Sequence, residues 1–251
     1  MSEGTLPQCW ICRKRPADSS EHKVKASDVR LTAPTLARST PAYLQINSTA
    51  TNRKIGSAKA KALAFSPSIC RYCNNTGTQP YDEAWQRLSY YLHANWVEIT
   101  GRGSFDLSKP FAGEAATHAL DVHLFFVKIL GCKLQADKIQ VDLASFSAAL
   151  LDRTPHPEVT LLIANSNVPA GQFLFYESDV SVLRNGDEVY SAVWMYLVHP
   201  VAIKVCYLKD GAPVREPVGF PWHPNRQRKI VKISPYKGDT QALVARRDLR
   251  I

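Results

Sequence analysis

Apolar and polar positions divide this chain into regions with different periods. Trp85, Leu88, Leu92 and Trp96 recur at three- and four-residue spacing, the period of a helix with one buried face. Pro80, Asp82 and Glu83 suit its first turn, so the spacing predicts a helix over 81–98, ended by Gly101-Arg102-Gly103-Ser104. A second helical pattern, carried by Leu120, His123, Leu124, Val127 and Leu130, runs over 115–130 and stops at Gly131. A third covers 143–151. Beyond it the pattern predicts strands at 159–164, 172–176, 179–183, 191–198 and 201–208. Turn signals at Arg184-Asn185-Gly186-Asp187 and Lys209-Asp210-Gly211 separate several of them. Helices followed by sequential strands predict an α+β fold, with helices packed on a mostly antiparallel sheet.

The first hundred residues lack this regularity. Residues 7–30 read as a cysteine knuckle, a basic turn and a short hairpin, and 31–69 carry little helix signal. Two short runs stand out, Tyr43-Leu44-Gln45-Ile46 and 58–65. The second alternates lysine with alanine and predicts a strand with one wet face or a basic ribbon. Residues 105–111 read as a loop. The glycine-rich turn at 101–104 is the predicted boundary between an N-terminal unit, 1–100, and a C-terminal α+β unit, 105–251.

Composition narrows the classes. The chain has 251 residues and 45% hydrophobic content, enough for a real core. No run approaches the ~18 uninterrupted apolar residues of a membrane span, and the first residues lack a secretory pattern, so a cytoplasmic protein without membrane partners is expected. The net charge is +9, and thirteen basic against seven acidic residues up to residue 100 carry six of those charges. That surplus suits a polyphosphate partner.

Four of the six cysteines form two pairs, Cys9-Trp10-Ile11-Cys12 and Cys70-Arg71-Tyr72-Cys73. A two-residue spacer lets both sulfurs of a pair face one ion, so the two pairs predict a tetrahedral structural zinc. Cys132 and Cys206, alone in apolar segments, read as small buried hydrophobes. Trp85 and Trp96 read as core packing on the zinc unit. The histidines at 93, 118, 123, 156, 199 and 223 lack ligand spacing and read as structural.

Cys9-x2-Cys12, then Glu21-His22, then Cys70-x2-Cys73 followed by Asn74, in that order, resemble the zinc-stabilised HNH endonucleases over residues 7–98. The resemblance implies a ββα-metal, treble-clef-like finger and a metal-dependent hydrolysis of DNA phosphodiesters. His22 would be the general base. Glu21 and Asn74 would hold a catalytic Mg²⁺ or Mn²⁺, apart from the structural zinc. Where the family has a middle asparagine, this chain has Phe65-Ser66-Pro67-Ser68-Ile69, so Ser66, Ser68 or backbone would orient the base. Arg13, Lys14, Arg15, Lys23, Lys25, Lys59, Lys61 and Arg71 are the expected phosphate contacts, with His223–Lys229 and Arg246-Arg247 a second basic stretch. The alternative is a catalytically inactive zinc-finger module that binds nucleic acid or protein. The C-terminal unit is left to recognise a substrate, a protein partner or a second copy in a homodimer.

Overall fold

Helical periodicity and strand alternation build two layers around one core. The computed structural model describes residues 6–46, 53–166, 175–212, 219–226 and 229–234. In chain order its main elements are α1 (Ala26–Thr32), β1 (Ala42–Ile46), β2 (Arg53–Ile55), α2 (Gln79–Arg102), β3 (Ser104–Asp106), α3 (Ala115–Ala136) and α4 (Ala144–Asp152). They continue with β4 (Val159–Asn165), β5 (Phe175–Glu177), β6 (Ser181–Asn185), β7 (Glu188–Val198), β8 (Val201–Leu208) and β9 (Ile230–Ser234). The fold is α+β, with the mostly antiparallel sheet expected from the sequence.

The sheet runs β2-β1-β5-β7-β8-β4-β9-β3, with β6 also paired to β7. Among the described strands, only β1–β5 and β4–β9 pair in parallel. Period-two alternation sorts β7 cleanly: Trp194, Tyr196 and Val198 join the main core, while Met195 and Leu197 form a small second cluster with Ala202. Of the expected strand at 172–176, residues 172–174 lie outside the described residues.

The helices exceed their predicted limits for identifiable reasons. Gly103, at φ 69, caps α2 in the left-handed conformation that glycine adopts without strain. Gly131 does not end α3. A side chain there would put its Cβ 2.5 and 2.6 Å from two ring carbons of Trp10, so glycine marks where the first cysteine pair packs on the helix. Trp85 and Trp96 are buried, as are Cys132 and Cys206.

Three local expectations are corrected. Residues 58–65 are not a strand: Leu63 and Ala64 donate their N–H groups to Ala60 and Lys61 in a short 3₁₀ turn that buries Leu63 and Phe65. Residues 104–106, within the stretch read as a turn and loop, pair as β3 with β9. Helix α1 replaces the last part of the hairpin expected within 7–30; tertiary contacts hold it, because its own Asp28 is fully buried and accepts hydrogen bonds from Trp85, Ser89 and Tyr196. The turn at 101–104 closes α2, and one hydrophobic cluster takes residues from both sides of it. β1, from the first hundred residues, lies in the same sheet as β7 and β8.

Candidate metal centre and its surroundings

The first cysteine pair sits in a tight turn. Arg13 N–H bonds the Cys9 carbonyl at 2.8 Å, Cys9 N–H bonds the Arg15 carbonyl at 2.8 Å, and Arg13 takes φ 52 to close the loop. The second pair opens the helical stretch that leads into α2 through a π-helical turn, Cys73–Gly77. Backbone bonds join the two halves: Trp10 N–H to Ser68 O at 3.2 Å and Ser19 N–H to Ile69 O at 2.9 Å. Residues 58 apart in sequence thus bring their sulfurs together.

The four ligand atoms of Cys9, Cys12, Cys70 and Cys73 lie within 4.8 Å of one another. The Cys12–Cys70 sulfur separation is 3.8 Å. A zinc with bonds of about 2.3 Å sets tetrahedral sulfurs about 3.8 Å apart, so the cluster has the size of a zinc-finger-like site. A hydrogen bond from Cys73, backbone N–H groups of Cys12, Cys70 and Ile11, and burial acting in the opposite sense pull Cys9 down to about 4, while Cys73 is pushed up. A metal ion bound by four cysteines takes them as thiolates, so such a site releases protons as it loads.

Glu21 and His22 lie on the segment that follows. It runs antiparallel to 63–69, with Phe65 N–H on the Glu21 carbonyl at 2.9 Å, Lys23 N–H on the Leu63 carbonyl at 2.7 Å and a bridge between His22 and Ala64. Adjacent residues on an extended strand face opposite ways. Glu21 points inward and is 7% exposed, whereas His22 is half-buried. Its imidazole has no hydrogen bond, ion pair or ring contact among the described residues.

Glu21 meets a partner that the sequence does not announce. Its Oε2 lies 2.6 Å from Nζ of Lys128, a fully buried lysine of α3, and its Oε1 accepts the His22 backbone N–H at 2.8 Å. The same ammonium donates to Asp82 Oδ2 at 2.7 Å, and Lys25 donates to Asp82 Oδ1 at 3.1 Å. Burial by itself disfavours a charged lysine, but the carboxylates of Glu21 and Asp82 outweigh it and hold Lys128 above its ordinary value. Two carboxylates and two ammonium groups form a neutral, mostly buried chain.

Asn74 faces another way. Its Nδ2 donates to Ser19 Oγ at 2.8 Å and to the Ser20 carbonyl at 3.1 Å, which ties the second cysteine pair to the Glu21 segment. The structure therefore brings Cys9, Cys12, Cys70 and Cys73 together, bridges His22 to Ala64, and turns Glu21 and Asn74 to separate partners. A divalent ion does not fit Glu21 as it stands, because the Lys128 ammonium already neutralises that carboxylate and has no exposed surface to which it can withdraw. Among the described residues, no hydrogen bond joins the buried Ser68 Oγ to His22.

The basic positions also separate. Arg13, Lys14, Arg15, Lys59, Lys61 and Arg71 are exposed. The Arg15 guanidinium stacks 4.2 Å from the Tyr72 ring, beside a groove of about 360 Å³. Arg71 reaches Asp18 at 3.5 Å. Lys23 lies over Phe65, and Lys25 belongs to the Asp82 network rather than to an open face. Arg246 and Arg247 lie outside the described residues.

His223, expected in a basic surface stretch, is buried with two other histidines. His123 Nε2 accepts the His156 N–H at 3.1 Å, His223 bonds the His156 carbonyl at 3.1 Å, and the His123 and His223 rings lie 4.9 Å apart. Burial lowers all three from the ordinary histidine value, His156 to about 4. No hydrophobic period could link residues 123, 156 and 223; the pairing of α3, the β4 approach and the 222–226 turn does so.

No known protein family, curated protein or solved structure matches this chain. The four-cysteine zinc-finger-like arrangement is what the geometry itself establishes.

Proposed function

We propose that residues 7–98 form an HNH-type unit that hydrolyses phosphodiester bonds in nucleic acid, DNA foremost. The observation that carries this reading is the position of His22. Its imidazole is half-buried and uncommitted among the described residues, and His22 bridges to Ala64 on the segment that leads into Cys70. A neutral imidazole takes a proton near pH 7. His22 would accept it from the water whose oxygen attacks phosphorus, while the bond from phosphorus to the leaving oxygen breaks. Arg13, Lys14, Arg15, Lys59, Lys61 and Arg71 would neutralise flanking phosphates, which positions a duplex without reading its sequence. A divalent ion, if bound, would stabilise charge on the phosphate and leaving oxygen. Glu21, paired with Lys128, does not hold it.

A second reading is favoured by the Glu21–Lys128 pair: the unit binds nucleic acid without cutting it. One experiment separates the two. Zinc-loaded protein and a His22→Ala variant of equal zinc content are incubated with plasmid, single-stranded DNA and RNA in Mg²⁺ or Mn²⁺, beside mobility shifts at low and high salt. Metal-dependent cleavage by the parent, lost by a hundredfold or more in the variant, supports hydrolysis. Salt-dependent binding with no cleavage of any substrate selects the second reading.

A further inference from the structure

We propose that Lys128 takes, at Glu21, the place that the family resemblance gives to a divalent ion, and that through Glu21 it positions His22. Both oxygens of the Glu21 carboxylate are in use: Oε2 faces the ammonium at 2.6 Å and Oε1 receives the His22 backbone N–H at 2.8 Å. Asp82 holds the other side of the ammonium at 2.7 Å and is itself steadied by Lys25 at 3.1 Å. The charges sum to zero.

A divalent ion at Glu21 would leave the buried network with two excess positive charges, or would drive Lys128 into apolar surroundings beside Phe125. Either arrangement leaves an uncompensated charge in a buried site, which is strongly disfavoured. Lys128 is fully buried and touches no substrate, so it is a positioning residue. It comes from α3, beyond the 7–98 stretch that resembles the nuclease family, and its action is to fix one carboxylate. That carboxylate fixes the backbone at the residue next to it, and hence the direction of the His22 side chain.

The catalytic part rests on the reading of His22 as the base, while the metal part does not. The test uses zinc-loaded full-length protein with Glu21→Ala, Glu21→Gln and Lys128→Met, each checked for zinc content and helical signal. Mn²⁺ titration followed by electron paramagnetic resonance is expected to give affinities within twofold for parent and both Glu21 variants. A tenfold or greater loss on either substitution would make Glu21 a metal ligand and overturn the proposal.

Amide hydrogen exchange at His22 is expected to quicken at least tenfold in Glu21→Ala and Lys128→Met, while Ser19, bonded to the Ile69 carbonyl, keeps its rate. Unchanged exchange at His22 in Glu21→Ala overturns the positioning role. If Lys128→Met does not fold, the two Glu21 variants still decide both points. Absence of cleavage by the parent ends the nuclease reading alone; the Mn²⁺ and exchange results judge Lys128 independently.

Discussion

Two clamps hold the segment 9–25 to the rest of the molecule, and they differ in what they require. The cysteine knot closes four sulfurs to within 4.8 Å, a cluster of the size that could hold a metal such as zinc. The Glu21–Lys128–Asp82–Lys25 chain is complete without any ion, because its own side chains balance their charges. The two centres thus differ in kind: the sulfur cluster is sized to take a cation, whereas the carboxylates are neutralised by lysines of the chain itself, one of them supplied by α3. A carboxylate near a four-cysteine cluster is therefore no sufficient sign of a further metal site.

The largest effect should come from breaking the first clamp. Stripping zinc with a chelator, or Cys70→Ser, removes a binding energy on the order of 10 kcal/mol, comparable with the stability of a whole domain. The segment 6–25 should detach, read as rapid proteolysis near Arg13–Arg15 and a red-shifted emission from Trp10, which is 7% exposed when folded. A denaturation midpoint unchanged after complete zinc removal would show that the lysine clamp suffices alone.

The second clamp should respond next. Lys128→Met leaves two inward carboxylates with one ammonium and should cost about 3–5 kcal/mol, measured by urea denaturation of the zinc-loaded protein. Replacing Lys128, Glu21 and Asp82 together by apolar residues of similar volume should recover most of that loss, since nothing charged is then left unpaired. If the triple variant is less stable than Lys128→Met, the network contributes more than mutual neutralisation.

What could be read in advance follows the same division. The Cys-x2-Cys spacing is local, and so is the Trp85–Trp96 period, so the knot and α2 were legible from residues alone. Lys128 was not. It sits in an apolar helical run among Phe125, Phe126, Val127 and Ile129, and only the packing of α3 against Glu21 and Asp82 explains a charge there. For the same reason Glu21 reads as a metal ligand in sequence and as half of an ion pair in space. Residues 58–65 show the opposite failure. Their alternation is real, but alanines carry too little side chain to hold a strand, and backbone turn bonds prevail.

Acid should separate the two clamps from a third buried centre, the histidine cluster. His123, His156 and His223 have folded-state values below the ordinary 6.5, so their neutral forms favour folding. That stability is present above the unfolded value and is lost as pH falls from about 6.5 toward the folded value, about 4 for His156. For His156 alone the loss across this window is about 3 kcal/mol. Unfolding free energies between pH 7 and 4.5 should therefore fall steeply, and the slope should flatten in His156→Gln. An equal slope in that variant would move the acid sensitivity to the cysteine knot.

The smallest change tests whether the first clamp depends on shape as well as on metal. Gly131 lies under Trp10, and an added Cβ would sit 2.5 Å from Cη2 and 2.6 Å from Cζ2 of a buried indole that cannot swing freely. Gly131→Ala should gain up to about 1 kcal/mol of helix propensity in α3, yet lose about 1–3 kcal/mol by overpacking. The net outcome is a lower melting temperature in zinc-loaded protein. The diagnostic arm is Trp10→Leu, which removes the ring that collides. In that background Gly131→Ala should become neutral or stabilising, because only the helix term remains. A Gly131→Ala penalty of the same size in both backgrounds would show that the cost lies in α3 itself, and that the knuckle docks on the helix without depending on the glycine gap.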